Sequence, residues 1–313
     1  MAFAENNAGA AKAVLKHHGR SFHFASHLLG ARHGERAARL YALCRAIDDL
    51  ADDATDPSWA DDRLASLSNA IAMGDRTDPI AAAALGLQHD TGFHLGALEA
   101  LIAGVRTDLK PVALADEAAL VDYAYAVAGT VGLMMCAVLD VDDARAHPFA
   151  IDLGIAMQLT NIARDVGTDA RLGRRYLPAS WVGEIAPEAL GAPAGALENS
   201  ARKAVARTLQ LAERYYESGE AGLGFLPARA RFAILTAARV YRAIGTRIAS
   251  EGYRPWMKRA VVSDSRKVAI GLRAGAAFLM HRHLHSKHHR HDPELHLAIR
   301  HRPGAEHAGS AHG

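Results

Sequence analysis

Cysteine is almost missing from this sequence. Only Cys44 and Cys136 occur, each inside an apolar helical pattern, so a disulfide framework is excluded and both read as buried thiols of a reducing compartment, the cytosol. An excess of one charge is lacking too: 36 Lys and Arg stand against 34 Asp and Glu, a formal net charge of +2, with the signs interspersed. That leaves no clustered basic footprint for nucleic acid, while a phosphate-bearing small molecule stays open. Nor is there a long hydrophobic run. The longest uncharged stretch, Tyr123 to Leu139 between Asp122 and Asp140, reaches only the lower limit of a membrane span; its glycines, tyrosines and Thr130 suit the buried centre of a helical fold. Residues 1–20 lack a continuous apolar segment, so no signal peptide is expected. Aromatic residues make up 6% of the chain and runs of alternating β-branched residues are rare, which argues against strands.

What is present is apolar periodicity. Half of the 313 residues are hydrophobic, they recur at helical spacing, and Ala, Leu and Arg are abundant, so the fold class is all-α. Length alone suggests two domains at about 150 residues each. Pro, Gly and Asp cluster at Asp56 to Ser58, Gly74 to Pro79, Asp108 to Pro111, Asp142 to Pro148, Tyr176 to Pro193 and Gly219 to Pro227, dividing the chain. These breaks predict about eight to ten helices. From His281 onward, ten of the 18 histidines fall among Arg, Lys, Gly and Pro. A mobile, solvated tail over 281–313 is the expectation, since such a composition offers no packed face, with adventitious or regulatory metal binding by its histidines as the alternative.

Two acidic motifs carry the chemistry. In Arg45-Ala46-Ile47-Asp48-Asp49-Leu50-Ala51-Asp52-Asp53, a helix places Asp48 and Asp52 on one face one turn after Arg45, with Asp49 and Asp53 as a second pair to the side. Like charges at that spacing repel, so a bridging cation stabilises the helix. Mg²⁺ takes one or two carboxylates and completes its shell with water and substrate phosphates, which suits paired aspartates on a diphosphate. The second motif runs from Gln158 through Asn161 and Asp165 to Asp169, an amide and two carboxylates spaced by four, with Gln158 a turn earlier and Ile151, Ile155, Leu159 and Ile162 around them. A polar row in a helix fit for burial needs partners, so a cavity holding ions or ligand is expected. Arg171, Arg174 and Arg175 follow at once, and arginine forks match phosphate oxygens.

These segments resemble the squalene and phytoene synthase family from about Ser21 to about Lys267. The resemblance rests on Ser21-Phe22, on Tyr41 through Asp52, on Tyr123 with Val127-Ala128-Gly129-Thr130-Val131-Gly132, and on Met157 through Pro178. Tyr241-Arg242-Ala243-Ile244-Gly245, Trp256 and Val262-Ser263 with Arg266-Lys267 look like its bacterial phytoene synthase branch. The family implies a single isoprenoid-synthase-type helical domain over 21–280 with a central cavity, preceded by an N-terminal segment, in place of two domains. It implies Asp48, Asp52, Asn161, Asp165 and Asp169 as ligands of Mg²⁺, or of Mn²⁺ in its stead. By the same carry-over, Ser21, Arg45, Arg164 and Arg171 touch phosphate, Gln158 contacts substrate, and Tyr41, Tyr123 and Tyr241 lie near the reacting carbons. The implied activity is prenyl transfer, the head-to-head joining of two geranylgeranyl diphosphates through a cyclopropylcarbinyl diphosphate in carotenoid synthesis. Squalene, dehydrosqualene or hydroxysqualene synthesis from farnesyl diphosphate is the alternative, and a non-catalytic assembly factor a second one. Expected partners are the prenyl diphosphates, a peripheral membrane contact for a hydrocarbon product, and downstream carotenoid enzymes. The chain departs from the pattern at His27 and Gly30, where Arg and Pro are common, and at Asp53 and Thr168, where Glu is frequent.

Overall fold

Several helices begin where a turn-forming side chain caps them. The computed structural model describes residues 28–52 and 54–306. Helix α1 spans Ala31–Asp52. It begins after Gly30, whose φ of 85° is closed to proline, so the departure at that position changes the entry into α1. Helix α2, Pro57–Met73, starts under the Asp56 carboxylate, which accepts from the Ser58 amide at 2.9 Å, and stops at Gly74 in the left-handed region. Asp78 caps α3, Pro79–Thr91, in the same way. Then come α4, Leu95–Thr107, and α5, Glu117–Ala124, which passes through a π turn, Tyr125–Gly129, into α6, Thr130–Val138. The second half holds α7, His147–Arg171, the short α8, Ala179–Val182, and then α9, Gly195–Ala221, α10, Ala228–Ser250, and α11, Asp264–Met280. Among the described residues there is no strand, only an isolated bridge between Ala113 and Arg175. The all-α reading holds; five of the six predicted breaks fall at or between helix ends, and the sixth, Tyr176 to Pro193, contains the short α8.

Helix α7 lies at the centre, packed against α9, α6 and α10, while α1 packs on α3, α2 and α6. Its apolar positions Ile151, Ile155, Leu159, Ile162 and Val166 are buried. Two glycines let it cross the uncharged stretch at backbone contact. A Cβ on Gly154 would sit 2.2 Å from the Ala128 carbonyl oxygen, and one on Gly132 would sit 2.0 Å from that of Ala150. Close crossing explains why this apolar stretch is rich in Gly and Ala. It forms a core element, with Leu120, Ala124, Tyr125, Met134 and Val138 buried in protein.

The expectation of a mobile tail over 281–313 is corrected through Glu306. Leu284, Leu295, Ile299 and Ala305 are buried, and the segment is tied to three helices. Arg302 forks onto Asp122 at 2.7 and 2.6 Å, Tyr125 donates to the Pro303 carbonyl at 2.6 Å, and Tyr215 donates to that of Leu295 at 2.7 Å. His291 and His296 both reach Asp152. Four spaced apolar residues and charged groups in the body supply the packed face that composition alone does not reveal.

The same substitution should act with opposite sign at two glycines. Gly154→Ala forces α7 off the Ala128 carbonyl and is expected to cost about 1–3 kcal/mol, as overpacking does. Gly275→Ala in α11 meets nothing nearer than Phe232 at 3.8 Å and should be neutral or gain up to about 1 kcal/mol of helix propensity. Denaturant midpoints of the two variants check this, and equal midpoints would refute the close crossing.

Candidate active site

The cavity follows from the packing. Small residues on α6 and the π turn, facing α1, α7 and α10, leave a cavity of about 340 Å³. Phe149, Leu153, Met157 and Asn161 line it from one face of α7, a span of about 18 Å at 1.5 Å per residue. From α1, Ala37, Tyr41, Cys44 and Asp48 line it at the same helical spacing. Its wall is apolar for most of this length and becomes polar where Asp48, Gln158 and Asn161 gather, with Tyr41 and Tyr241 beside them. The two acidic rows therefore meet at one end of a long apolar slot.

Charge at that end is divided between paired and unpaired carboxylates. Burial pushes Asp48 up to about 7; Arg45 pulls it back in part, and the charges of Asp52, Asp49 and Asp108 add to the rise. Burial also lifts Asp169 to about 7, with Asp165 adding to it and Arg174 opposing. Asp165 behaves differently. Burial works against its ionisation, yet forks from Arg164 and Arg259 hold it below the usual carboxylate range. Arg164 donates Nε–H to Asp165 Oδ1 at 3.0 Å and also closes on Oδ2, while Arg259 Nε lies 2.9 Å from Oδ1. Arg45 lies 2.5 Å from Asp49 and 3.9 Å from Asp52, and Arg174 reaches Asp52 at 3.3 Å.

The donor set fits a hard divalent ion. Asn161 donates its amide to Gln158 at 3.2 Å, which leaves its Oδ1 buried with no hydrogen-bond partner. A buried acceptor of that kind is costly unless something positive meets it. With the carboxylates around it the donors are all oxygen, the preference of Mg²⁺ or Mn²⁺.

The predicted site residues divide into three groups. Asp48, Gln158, Asn161, Tyr41 and Tyr241 line the cavity, and Asp52, Asp165, Asp169, Arg45 and Arg164 surround its polar end through the pairings above. Two others are placed differently. Tyr123 is absent from the cavity wall: its hydroxyl donates to Asp108 at 2.8 Å and its ring lies 4.7 Å from that of Tyr176. Arg171 is exposed at the end of α7 and reaches Thr168 at 3.3 Å. Ser21 and Asp53 lie outside the described residues. Of the arginine loop, Arg174 turns to the site, whereas Arg175 is buried against the carbonyls of Leu114 and Leu177.

Sequence reasoning missed Asp108 and Arg259. Asp108 reads as a turn residue in a loop. Its carboxylate accepts from both Tyr123 and Tyr176, and its charge is felt at Asp48 and Asp169. Arg259 is delivered by the loop after α10, which can approach because position 167 is glycine: a Cβ there would lie 2.9 Å from Trp256 Cα. Trp256 was the only local signal.

The raised carboxylates fix a pH dependence. In the unfolded chain Asp48 and Asp169 release protons near the ordinary value of about 3.9, and in the folded protein near 7. The unfolded state therefore ionises first, so these groups cost metal-free stability progressively from about pH 4 to about pH 7, and fully above that. Asp48→Asn should raise the metal-free Tm at pH 8 by a few degrees, at about 2–4 °C per kcal/mol, with a smaller gain at pH 5. It should also lose the rise in Tm that Mg²⁺ gives wild type at pH 8. Thermal melts with chelator and with Mg²⁺ at both pH values check this, and a variant less stable than wild type at pH 8 would overturn it.

The squalene/phytoene synthase family matches residues 15–267. The phytoene synthase of Cereibacter sphaeroides is 36% identical over 274 residues, covering 83% of this chain and 77% of its own. The 15-cis-phytoene synthase of Enterobacter agglomerans is 38% identical over 268 residues, covering 80% and 89%. Among solved structures, a dehydrosqualene synthase in complex with ligand superposes with a TM-score of 0.77 at 27% identity, covering 87% of this chain and 96% of its own. A squalene synthase from Alicyclobacillus acidocaldarius, at 20% identity and a TM-score of 0.69, covers 79% and 95% and shares the fold. The chain belongs to the squalene/phytoene synthase family, whose members are prenyl-transferring enzymes.

Proposed function

We propose that this protein is a phytoene synthase, joining two geranylgeranyl diphosphates head to head through prephytoene diphosphate. One observation carries the reading: two acidic rows meet at one end of an apolar slot about 18 Å long. The names of the curated relatives support the forty-carbon product. Mg²⁺ held by Asp48, Asp52, Asn161, Asp165 and Asp169 would supply positive charge to a departing diphosphate. Arg45, Arg164, Arg174 and Arg259 stand around that end as phosphate donors, available as substrate oxygens replace the aspartates they now meet. Loss of diphosphate from one substrate leaves an allylic cation, which the double bond of the second attacks. Proton loss closes a cyclopropylcarbinyl diphosphate. Its ionisation, rearrangement and a second proton loss give the triene, with no reductant consumed. Tyr41 and Tyr241 line the slot, where an aromatic ring would stabilise a cation, and the apolar wall would keep water from quenching it.

A farnesyl-using, thirty-carbon synthase is the second reading, supported by the dehydrosqualene synthase of similar structure. Purified protein with Mg²⁺ and no NADPH, given each diphosphate separately, discriminates the two. A forty-carbon triene from the longer substrate is expected; a thirty-carbon product from farnesyl diphosphate alone would move the protein to the second reading. Asp48→Ala and Asp165→Ala should lower turnover by at least a hundredfold, and Asp62→Ala, on the exposed face of α2, should leave it near wild type.

We also propose a cytoplasmic protein resting on an anionic membrane through α11. Val268, Leu272 and Leu279 form a stripe along this helix and are 53 to 85% exposed, with Met280 exposed at its end. Arg266 and Arg273 of the same helix line a groove with Arg239 and Arg242 of α10, which are paired with Glu220 and Glu213. The apolar stripe together with the arginines of the same helix suits an anionic lipid surface. Helix α10, which lines the slot with Ala233, Ile234 and Ala237, packs directly beneath, so one helix layer separates hydrocarbon product from this face. Co-sedimentation with phosphatidylserine vesicles, several-fold above neutral ones, is expected, and Leu272→Asp with Leu279→Asp should abolish it. Equal sedimentation with both vesicle types would remove the reading.

A further inference from the structure

On α7, nine residues before Asn161 and away from the acidic rows, Asp152 is fully buried among apolar neighbours. A lone buried carboxylate is untenable, and the C-terminal segment supplies its partners. His291 Nε2 lies 2.7 Å from Oδ2 and His296 Nε2 lies 2.8 Å from Oδ1, while Ser218 of α9 donates to Oδ2 at 2.5 Å. The carboxylate and the two imidazoles are exposed by only 0, 5 and 2%. One ligand atom from each of Asp152, His291 and His296 lies within 4.8 Å of the others. That convergence is what one ion with bonds of about 2.0–2.2 Å requires, after a small outward shift of the rings.

We infer that Asp152, His291 and His296 form a binding site for one divalent transition-metal ion of the Zn²⁺ class, which fastens the C-terminal segment to α7 and α9.

Three features favour an ion over hydrogen bonds alone. Both rings aim the same nitrogen, Nε2, at one carboxylate, and both leave Nδ1 buried without a partner. The two Nδ1 atoms stay unmet whichever partner Nε2 has, so the bond at Nε2 must offset them together with the burial of the carboxylate, and metal bonds are far stronger than the hydrogen bonds they would replace. The ligand chemistry is also distinct: two imidazoles and one carboxylate suit Zn²⁺, Co²⁺, Ni²⁺ or Fe²⁺, whereas Mg²⁺ prefers the all-oxygen rows at the far end of α7. Finally, the site is held before any ion arrives. The His291 ring packs edge-on against Phe149 at 5.4 Å and lies 4.4 Å from that of His296, and Tyr215 fixes the backbone beside His296 through Leu295. Ser218 holds the carboxylate from α9 by donating to Oδ2, and water would complete the fourth position of the ion.

The test uses the full chain, stripped with chelator and dialysed against Zn²⁺ in excess Mg²⁺, which occupies the aspartate rows without competing for imidazole. Wild type should retain one Zn²⁺ per chain by metal analysis, bind Co²⁺ with the visible absorption of a four-coordinate site, and melt at higher temperature with Zn²⁺ than with chelator. Asp152→Asn and His296→Ala should each lose the tightly held ion, the Co²⁺ band and the Zn²⁺-dependent shift. His281→Ala with His288→Ala, exposed on the same segment, should keep all three. A wild type that retains no Zn²⁺, or loss of the ion in the His281/His288 pair but not in His296→Ala, would overturn the inference. Should Asp152→Asn or His296→Ala fail to fold, the wild-type stoichiometry and Co²⁺ spectrum decide alone.

Discussion

Carboxylates gathered at the mouth of an apolar slot repel each other and resist burial, and the rest of the structure answers that constraint. Asp48, Asp52, Asp108, Asp165 and Asp169 come from α1, the end of α4 and α7, so no single helix carries the whole load. Arginines balance part of it. Asp165 takes two forks and stays ionised, while Asp48 and Asp169 receive less compensation and rise toward neutrality. The unequal pairing marks which groups have spare capacity for a cation, and Asn161, with its unmet oxygen, stands in the same row.

Helix α7 is where these demands meet. Its glycine at 154 lets it touch the backbone of the uncharged stretch, its glycine at 167 admits the Trp256 loop, and its apolar positions fill the core. The close crossing at Gly154 and Gly132 sets the narrowness of the slot, and the loop held against Gly167 brings Arg259 onto Asp165. One helix thus bears on both the shape of the apolar chamber and the charge at its mouth, which ties the geometry of the proposed site to backbone packing.

Helical spacing made the acidic rows legible, because residues four apart must share a face whatever packs on them. Turn chemistry did the same for several helix ends, since Asp56, Asp78 and Gly74 act through their own neighbours. Contacts between distant segments carry no such period. Asp108 meets Tyr176 across 68 residues, Arg259 meets Asp165 across 94, and His296 meets Asp152 across 144. Each of these residues looks ordinary in its own window: a turn aspartate, a loop arginine, a histidine among many. The His-rich segment was misread for this reason, as its anchors lie on α5, α7 and α9.

The same segment bears on the length of the slot. Phe149 lines the cavity at the end away from the aspartates, and its position is fixed from two sides. Gly222 leaves it room, since a Cβ there would lie 2.2 Å from the Phe149 Cβ, and His291 packs edge-on against its ring. A phenyl ring held so tightly forms a firm floor. Whatever fastens His291 to Asp152 therefore also braces the floor against which the far end of a prenyl chain would rest. Discrimination between chains differing by one isoprene unit depends on how far that floor can yield, and a strap pinned at a buried carboxylate yields less than one held by apolar contacts alone.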